Sequence, residues 1–284
     1  MNTEELILHR LLEAYPVALI KHHFNVDAPR QDELIRLIVD RFSKKDIQSF
    51  VFESFGFLHQ HVFVFDSNVP ILKVSLGKIS NFKTITTVNG IEYFNYLFEI
   101  KYDYFSPRLN GKDELIFHCP IRITLYRDKL ILMINTIERN ITNYFKTPIY
   151  SLGKNIDEND IINTIKQDLP KGTSLITTDL NKGVKKLWND DFIDAIYSRY
   201  KRTKSTSTEV MDEDNLLKFT YPDRYKEIVK APIDKTIFLV IANNVKDIVY
   251  RFSIEPRMGK TSITRFSDGL NDIDNLIKKI IDNN

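Results

Sequence analysis

Basic side chains and tyrosines are concentrated between residues 182 and 204. Seven positions there are basic and three are acidic, so the segment carries an excess of four positive charges. The basic residues are Lys182, Lys185, Lys186, Arg199, Lys201, Arg202 and Lys204. Cations close to Tyr197 and Tyr200 are the residue types that contact phosphates and stack on bases or sugars. The segment therefore predicts a surface that binds a sugar-phosphate backbone.

The hydrophobic spacing places this segment on the longest predicted helix of the chain, Asp179–Arg202. Apolar residues recur there at helical intervals and form one predicted core stripe. The stripe consists of Val184, Trp188, Phe192, Ala195 and Ile196. The alternative interpretation is a solvated helix face whose charges pair with the acidic run at 209–214.

A second pair of cations, Lys44 and Lys45, lies at the start of another predicted helix. Ser43 and Asp46 form a capping-box pattern there. Short helical segments over 2–56, followed by strand-like residues 58–65 and 69–76, have the element order of a winged helix-turn-helix. In that interpretation both lysines assist in contacting nucleic acid. The alternative is a helical subdomain that leads into a sheet.

An acid-x-lysine pattern, Glu99 and Lys101, lies on a predicted strand. In a restriction-type nuclease core the acid binds Mg²⁺ and the lysine lies beside the attacked phosphate. Asp66 and Glu92 are the candidates for the second acid of the metal site. The alternative is an ordinary half-exposed strand, in which charged and apolar residues alternate anyway. The sequence leaves a magnesium-dependent nuclease open as a second hypothesis.

Other motifs indicate no chemistry. Residues 258–261 end like a phosphate-binding loop but lack its first glycine, and they lie between predicted strands, so we expect a hairpin turn. His59 and His61 share one strand face, but a metal site needs three or four converging ligands. Cys119 is the only cysteine, and we expect a buried, inert thiol. The sequence therefore predicts no bound metal or other cofactor outside the nuclease hypothesis.

The predicted elements give an α+β fold with three consecutive domains. Residues 1–56 form a small helical unit, 57–150 a central antiparallel β-sheet, and 151–284 a C-terminal α/β unit that ends in strands and a helix. Asn89 and Gly90 give the strongest hairpin signal, between strands at 83–88 and 91–105. Further strands are predicted at 115–126, 129–135, 236–242, 247–254 and 261–266, with helices at 157–168 and 270–281.

Composition limits the remaining choices. The chain has 284 residues, 43% of them hydrophobic, and a net charge of +2, so attraction to a polyanion must be local. The N-terminus is acidic and no apolar run is long enough for a signal peptide or a bilayer span, so we expect a soluble intracellular (cytoplasmic) protein without a membrane partner. The sequence favours a non-enzymatic nucleic-acid-binding or adaptor protein. A subunit that only binds another protein is the third hypothesis.

Overall fold

The fold is known from a computed structural model, in which contacts group the chain into two compact units. The structure describes residues 3–67, 83–88, 91–107, 110–137, 149–152, 156–169, 171–203, 206–212, 214–242, 247–269 and 271–284. The first unit takes its described residues from 3–58, 83–123 and 134–174, and the second from 59–67, 124–133 and 175–284. The α+β class is confirmed. The three consecutive domains stay a prediction, and the units are discontinuous along the chain.

The first unit begins with four helices, α1 Thr3–Glu13, α2 Val17–Phe24, α3 Gln31–Arg41 and α4 Lys44–Glu53. Ser43 accepts a hydrogen bond from the Asp46 backbone, and Asp46 accepts from that of Ser43, which confirms the capping box. The helices bury aliphatic and aromatic side chains, with Tyr15 and Phe50 in ring contact at 5.0 Å. The predicted helical character of the N-terminal segment is confirmed.

Antiparallel strands complete this unit. They are β2 Lys83–Val88, β3 Ile91–Ser106, most of β4 Gly111–Tyr126 and the short β6 Tyr150–Ser151, and α5 Glu158–Asp168 follows. β3 lies between β2 and β4 in the strand order, and β6 also pairs with β3. Val88 pairs with Ile91, as a hairpin requires, whereas Asn89 and Gly90 lie outside the described residues.

The second unit has a longer antiparallel strand order, β5-β1-β12-β11-β10-β8-β9, and β7 also pairs with β1. The strands are β1 Gln60–Ser67, β5 Lys129–Asn135, β7 Leu175–Thr177, β8 Ile193–Lys201, β9 Ser207–Met211, β10 Ile233–Val240, β11 Arg251–Glu255 and β12 Lys260–Ile263. The helices are α6 Asn181–Asn189, α7 Leu217–Thr220, α8 Pro222–Lys230 and α9 Asp272–Asp282. Residues 69–76 lie outside the described residues, so the winged-helix interpretation stays a prediction.

The predicted long helix Asp179–Arg202 is wrong. Helix α6 ends at Asn189 and strand β8 begins at Ile193. Asp191 has a left-handed backbone, with φ 54°, and its N–H donates to Trp188 O while the Phe192 N–H donates to Leu187 O. These are the bonds of a Schellman helix stop, which usually has glycine at the left-handed position. Aspartate tolerates that conformation, so the sequence carried no obvious stop signal.

Met258 and Gly259 lie in the turn between two strands, as expected, and Lys260 and Thr261 are the first residues of the second strand. Gly259 connects β11 to β12 with φ 54°, and a Cβ atom at that position would lie 2.6 Å from Val64 O. Glycine is therefore required for the close approach of two backbones. In the described part of the chain, no helix is both long and apolar enough to cross a bilayer.

Arg122 is a buried cation that joins helix α4 to the strands of the first unit. Its Nε donates to Asn95 Oδ1 at 2.7 Å and its Nη2 donates to Phe52 O, also at 2.7 Å. The guanidinium carbon lies 4.6 Å from the ring centre of Phe55 and 5.0 Å from that of Tyr93. The guanidinium contacts both rings, and its charge-assisted hydrogen bonds hold the last turn of α4 against the sheet.

We expect Arg122→Met to lower the free energy of unfolding by about 3–5 kcal/mol, because two buried acceptors lose a charged donor. Urea denaturation followed by circular dichroism measures this. Arg36→Met is the matched control, since that side chain is 63% exposed and forms an exposed ion pair with Asp32 at 3.0 Å. Its cost should stay below about 1 kcal/mol. Equal losses in the two variants would contradict the structural role of Arg122.

His9 connects α1 to α3 through two carboxylates. The residue is 5% exposed, with Nδ1 3.4 Å from Glu13 Oε1 and Nε2 3.1 Å from Asp32 Oδ1. The hydrogen bond to Glu13, supported by the charge of Asp32, raises the histidine pKa above 6.5 although burial opposes this. Arg36, which pairs with Asp32, is the neighbouring cation on α3.

We therefore expect the stabilisation that His9 contributes to decrease as the pH rises from 6 to 8. A histidine whose pKa is raised by folding stabilises fully below its unfolded value of 6.5, and this stabilisation is lost as pH rises through the folded value. Thermal melts at intervals across this range measure the effect. His9→Gln should flatten the pH dependence of the melting temperature; an unchanged slope in that variant would assign the effect to other groups.

Candidate nucleic-acid interface

Strand β8 sends its side chains to two opposite faces of the second unit's sheet. Ser198 and Tyr200 are buried on one face, while Tyr197, Arg199 and Lys201 are partly exposed on the other. Ile196 is an extra residue in the pairing with β10, because Ala195 lies opposite Phe238 and Tyr197 opposite Ile237. This bulge shifts the alternation and gives residues 197, 199 and 201 a common face.

Helix α6 covers the face that carries Ser198. Ser198 Oγ lies 2.9 Å from Thr236 Oγ1, and Phe238, two residues farther along β10, packs edge-to-face on Trp188 of α6 at 5.0 Å. The opposite face, which we call the outer face, carries residues 197, 199 and 201 of β8, after the bulge, and their partners. Its partly or fully exposed side chains are Tyr197, Arg199, Lys201, Glu209, Met211, Lys235, Ile237 and Ser253.

Two cations lie directly opposite each other on the outer face. Arg199 of β8 pairs in register with Lys235 of β10, and on its other side with Glu209 of β9. The Arg199 guanidinium lies 3.8 Å from Glu209 Oε1, at the limit of an ion pair. Lys201 follows on the same face. Among the described residues neither Lys201 nor Lys235 has a carboxylate within salt-bridge distance, so their charges face outward.

The structure does not bring the seven predicted cations together. Lys182 and Lys186 are exposed on α6, and that helix covers the face opposite Arg199 and Lys201. Lys185 donates to Ala231 O at 2.8 Å, and burial lowers its pKa. The Lys185 ammonium group is therefore already bound within the protein. Because residues 193–201 form a strand, the cations of β8 lie on a different face from the cations of α6, whereas a single helix would have placed them together.

Arg202, the residue that follows β8, forms an ion pair within the protein. Arg202 Nε lies 3.1 Å from Glu227 Oε1 on α8, and that carboxylate also binds Arg224 at 3.1 Å. Lys204 lies outside the described residues. Among the described acidic residues of the run at 209–214, only Glu209 approaches a described predicted cation, while Asp212 accepts hydrogen bonds from the Asp214 and Asn215 backbones. The alternative of a fully self-paired basic segment therefore applies only in part.

The two N-terminal lysines differ in what they contact. Lys44 Nζ lies 2.6 Å from Glu4 Oε1 across helices α4 and α1. Lys45 is exposed, and in the described part of the chain it makes no salt bridge. Both lie in the first unit, whereas the outer face lies in the second.

The acid-x-lysine pattern forms a charged cluster on the first unit's sheet. Lys101 Nζ lies 3.4 Å from Glu99 and 3.5 Å from Glu114, and His118 lies 3.8 Å from Glu99. The carboxylates raise the lysine pKa, Glu114 most strongly, while burial lowers the pKa of His118. Glu92 is seven residues from Glu99 on β3, about 23 Å along the strand. The two therefore do not share a metal ion.

Other predicted chemistry finds no assembled site. Asp66, in the second unit, binds Lys129 at 2.8 Å. His61 Nδ1 lies 2.9 Å from Ser262 Oγ. Across the described residues, no three acidic, histidine or cysteine side chains are arranged to hold a metal. Cys119 is buried, and burial raises the pKa of its thiol, as expected for an inert cysteine.

Asp194 is a buried residue that the sequence did not single out. Its Oδ1 accepts from Trp188 Nε1 at 2.7 Å, from Ala195 N at 2.7 Å and from Lys218 N at 3.1 Å. Lys218 Nζ in turn donates to Trp188 O at 2.9 Å. Burial raises the pKa of Asp194, although these donors oppose the shift. This carboxylate fixes the end of α6 against the start of β8.

Comparison with known proteins finds no relative: no protein-family model, no curated protein and no solved structure matches the chain. What the protein does is therefore inferred from its own residues.

We expect Asp194→Ala to lower the free energy of unfolding by about 3 kcal/mol, because a buried indole N–H and two backbone donors lose their acceptor. Trp188 is the only tryptophan in the chain, so its fluorescence during urea denaturation reports this directly. Asp194→Asn keeps a carbonyl oxygen and should lose less than half as much. Equal losses for the two substitutions would show that the acceptor oxygen is not what matters.

Proposed function

We propose that the protein binds single-stranded nucleic acid on the outer face without cleaving it. The observation that carries the proposal is the pairing of Arg199 with Lys235 across two strands, with Lys201 on the same face. All three side chains are partly exposed. A patch of this kind neutralises phosphates locally although the whole chain has a net charge of only +2.

The cross-strand arrangement is unfavourable in the free protein. Like charges directly opposite each other destabilise a sheet. Glu209 offsets the Arg199 charge only at 3.8 Å, and Lys235 has no described carboxylate within salt-bridge distance. A bound phosphate between the two cations would remove this repulsion. The pair of cations therefore destabilises the free protein, and a bound anion relieves that destabilisation.

The surroundings favour a single strand. Tyr197 lies two residues before Arg199 on the same face, with Ile237 opposite it. An aromatic ring on a sheet stacks on an unpaired base, whereas the bases of a duplex are already stacked. Arg199 and Lys201 are about 7 Å apart along the strand, which lets them contact different phosphates. No comparable observation favours cleavage at Glu99 and Lys101, since Lys101 lies between two carboxylates.

The test is a double substitution, Arg199→Gln with Lys235→Gln, measured by fluorescence anisotropy on labelled oligothymidylate and oligouridylate. Removing two phosphate contacts should weaken binding roughly tenfold or more near 0.1 M salt and reduce the salt slope by about 1.4. The melting temperature should stay equal or rise, because the repulsion between the cations is removed.

The matched control is Lys182→Gln with Lys186→Gln, which removes the same charge from exposed positions on α6. We expect its binding to stay within about twofold of the wild type, through long-range electrostatics alone. Failure of the wild-type protein to bind either oligonucleotide at low salt would overturn the proposed function. A larger loss in the α6 control than in the outer-face variant would overturn the proposed location. The DNA and RNA probes distinguish which polymer is preferred.

A further inference from the structure

Strand β9 is the last strand in the order of the second unit. Residues Ser207–Met211 pair with β8, and among the described residues β9 has no second neighbouring strand. An edge strand leaves one row of backbone N–H and C=O groups without a partner strand. Proteins commonly protect such an edge with proline, lysine or a bulge in the strand itself. None of these occurs within β9.

The backbone bonds identify which groups point outward. The Asp212 N–H donates to Ile196 O at 2.9 Å, so it points towards β8. Because the direction alternates along an antiparallel strand, the N–H and C=O groups of Ser207, Glu209 and Met211 point away from β8. These three residues give the edge a regular row of donors and acceptors for one more strand.

Large apolar side chains are exposed next to this edge. Met211 is 59% exposed, Phe219 on α7 is 64% exposed, and Tyr221 is 41% exposed. The Tyr221 hydroxyl donates to Asp212 Oδ2 at 3.0 Å, which holds its ring beside the end of β9. Exposed apolar groups at a sheet edge are typical of a surface that contacts another polypeptide.

The charge of the edge indicates what kind of polypeptide fits. Residues 206–217 contain no basic residue, whereas Glu209, Asp212 and Asp214 are acidic and lie along or just after β9. The nearest following cation, Lys218, is already bound to Asp191 at 2.6 Å. For a second copy of the chain, the antiparallel register centred on Glu209 is disfavoured, because it would place two carboxylates opposite each other.

We infer that β9 accepts an extended peptide of alternating basic and apolar residues, which adds to the sheet as a further strand. The outward groups of Ser207, Glu209 and Met211 supply the backbone hydrogen bonds. Glu209 on the outer face pairs with the basic side chains of the peptide, and the exposed rings of Phe219 and Tyr221 contact its apolar side chains, which alternate to the other face. Glu209 also lies 3.8 Å from Arg199 on the outer face, but the backbone groups of β9 that bind the peptide are separate from Lys201 and Lys235, so peptide binding does not depend on the proposed nucleic-acid binding.

The test uses a fluorescein-labelled octapeptide of alternating lysine and valine, with a glutamate and valine peptide for comparison. The lysine peptide should bind saturably, and the glutamate peptide at least about tenfold more weakly. In hydrogen exchange, the amides of residues 207, 209 and 211 should become protected when the lysine peptide binds. Binding of both peptides with equal affinity, or of neither, would overturn the inference.

Two variants separate strand addition from charge attraction. Glu209→Pro removes an outward N–H that β8 does not use, so the fold should persist, and peptide affinity should fall at least about fivefold below that of Glu209→Gln. Phe219→Ser should weaken binding about tenfold. Ile176→Ser is the matched control, since that residue is also 64% exposed but lies on β7. Equal affinities of Glu209→Pro and Glu209→Gln, or concentration-dependent dimers blocked by Glu209→Pro, would contradict peptide addition.

Discussion

The reversal of the backbone at Asp191 determines how the surface of the second unit is arranged. Its left-handed conformation ends α6, and the Asp194 carboxylate then holds the Trp188 indole and the first residues of β8 in place. The three donors to its Oδ1 fix the orientation of this buried carboxylate. Strand β8 therefore leaves the helix at a fixed position and in a fixed register.

Register decides which charges reach solvent together. The bulge at Ile196 shifts the alternation of β8, so Arg199 and Lys201 share a face with Lys235. The same alternation directs Ser198 and Tyr200 towards the helices, where they are buried. Without the bulge, residues 199 and 201 would exchange faces with 198 and 200, because the period of a strand is two residues. One extra residue therefore decides whether Arg199 and Lys201 or Ser198 and Tyr200 lie on the outer face.

Local patterns in the sequence predicted the elements whose signals are local. The capping box at Ser43 and the alternating strands around Glu99 are set by nearest neighbours, and both occur as expected. The long helix was wrong because Val184 and Trp188 belong to a helix and Ala195 to a strand, yet their spacing fits one helical period through the turn between them. Lys235 could not be identified from sequence, since only the register of β10 with β8 places it opposite Arg199.

The central claim is that the cations of the outer face, and not those of α6, meet the nucleic acid. Acetylation of lysines followed by mass spectrometry, with and without a bound oligonucleotide, tests it on the wild-type chain in one experiment. We expect Lys201 and Lys235 to become protected together while Lys182 and Lys186 stay reactive. Protection of Lys182 and Lys186 with Lys201 and Lys235 still reactive would contradict it.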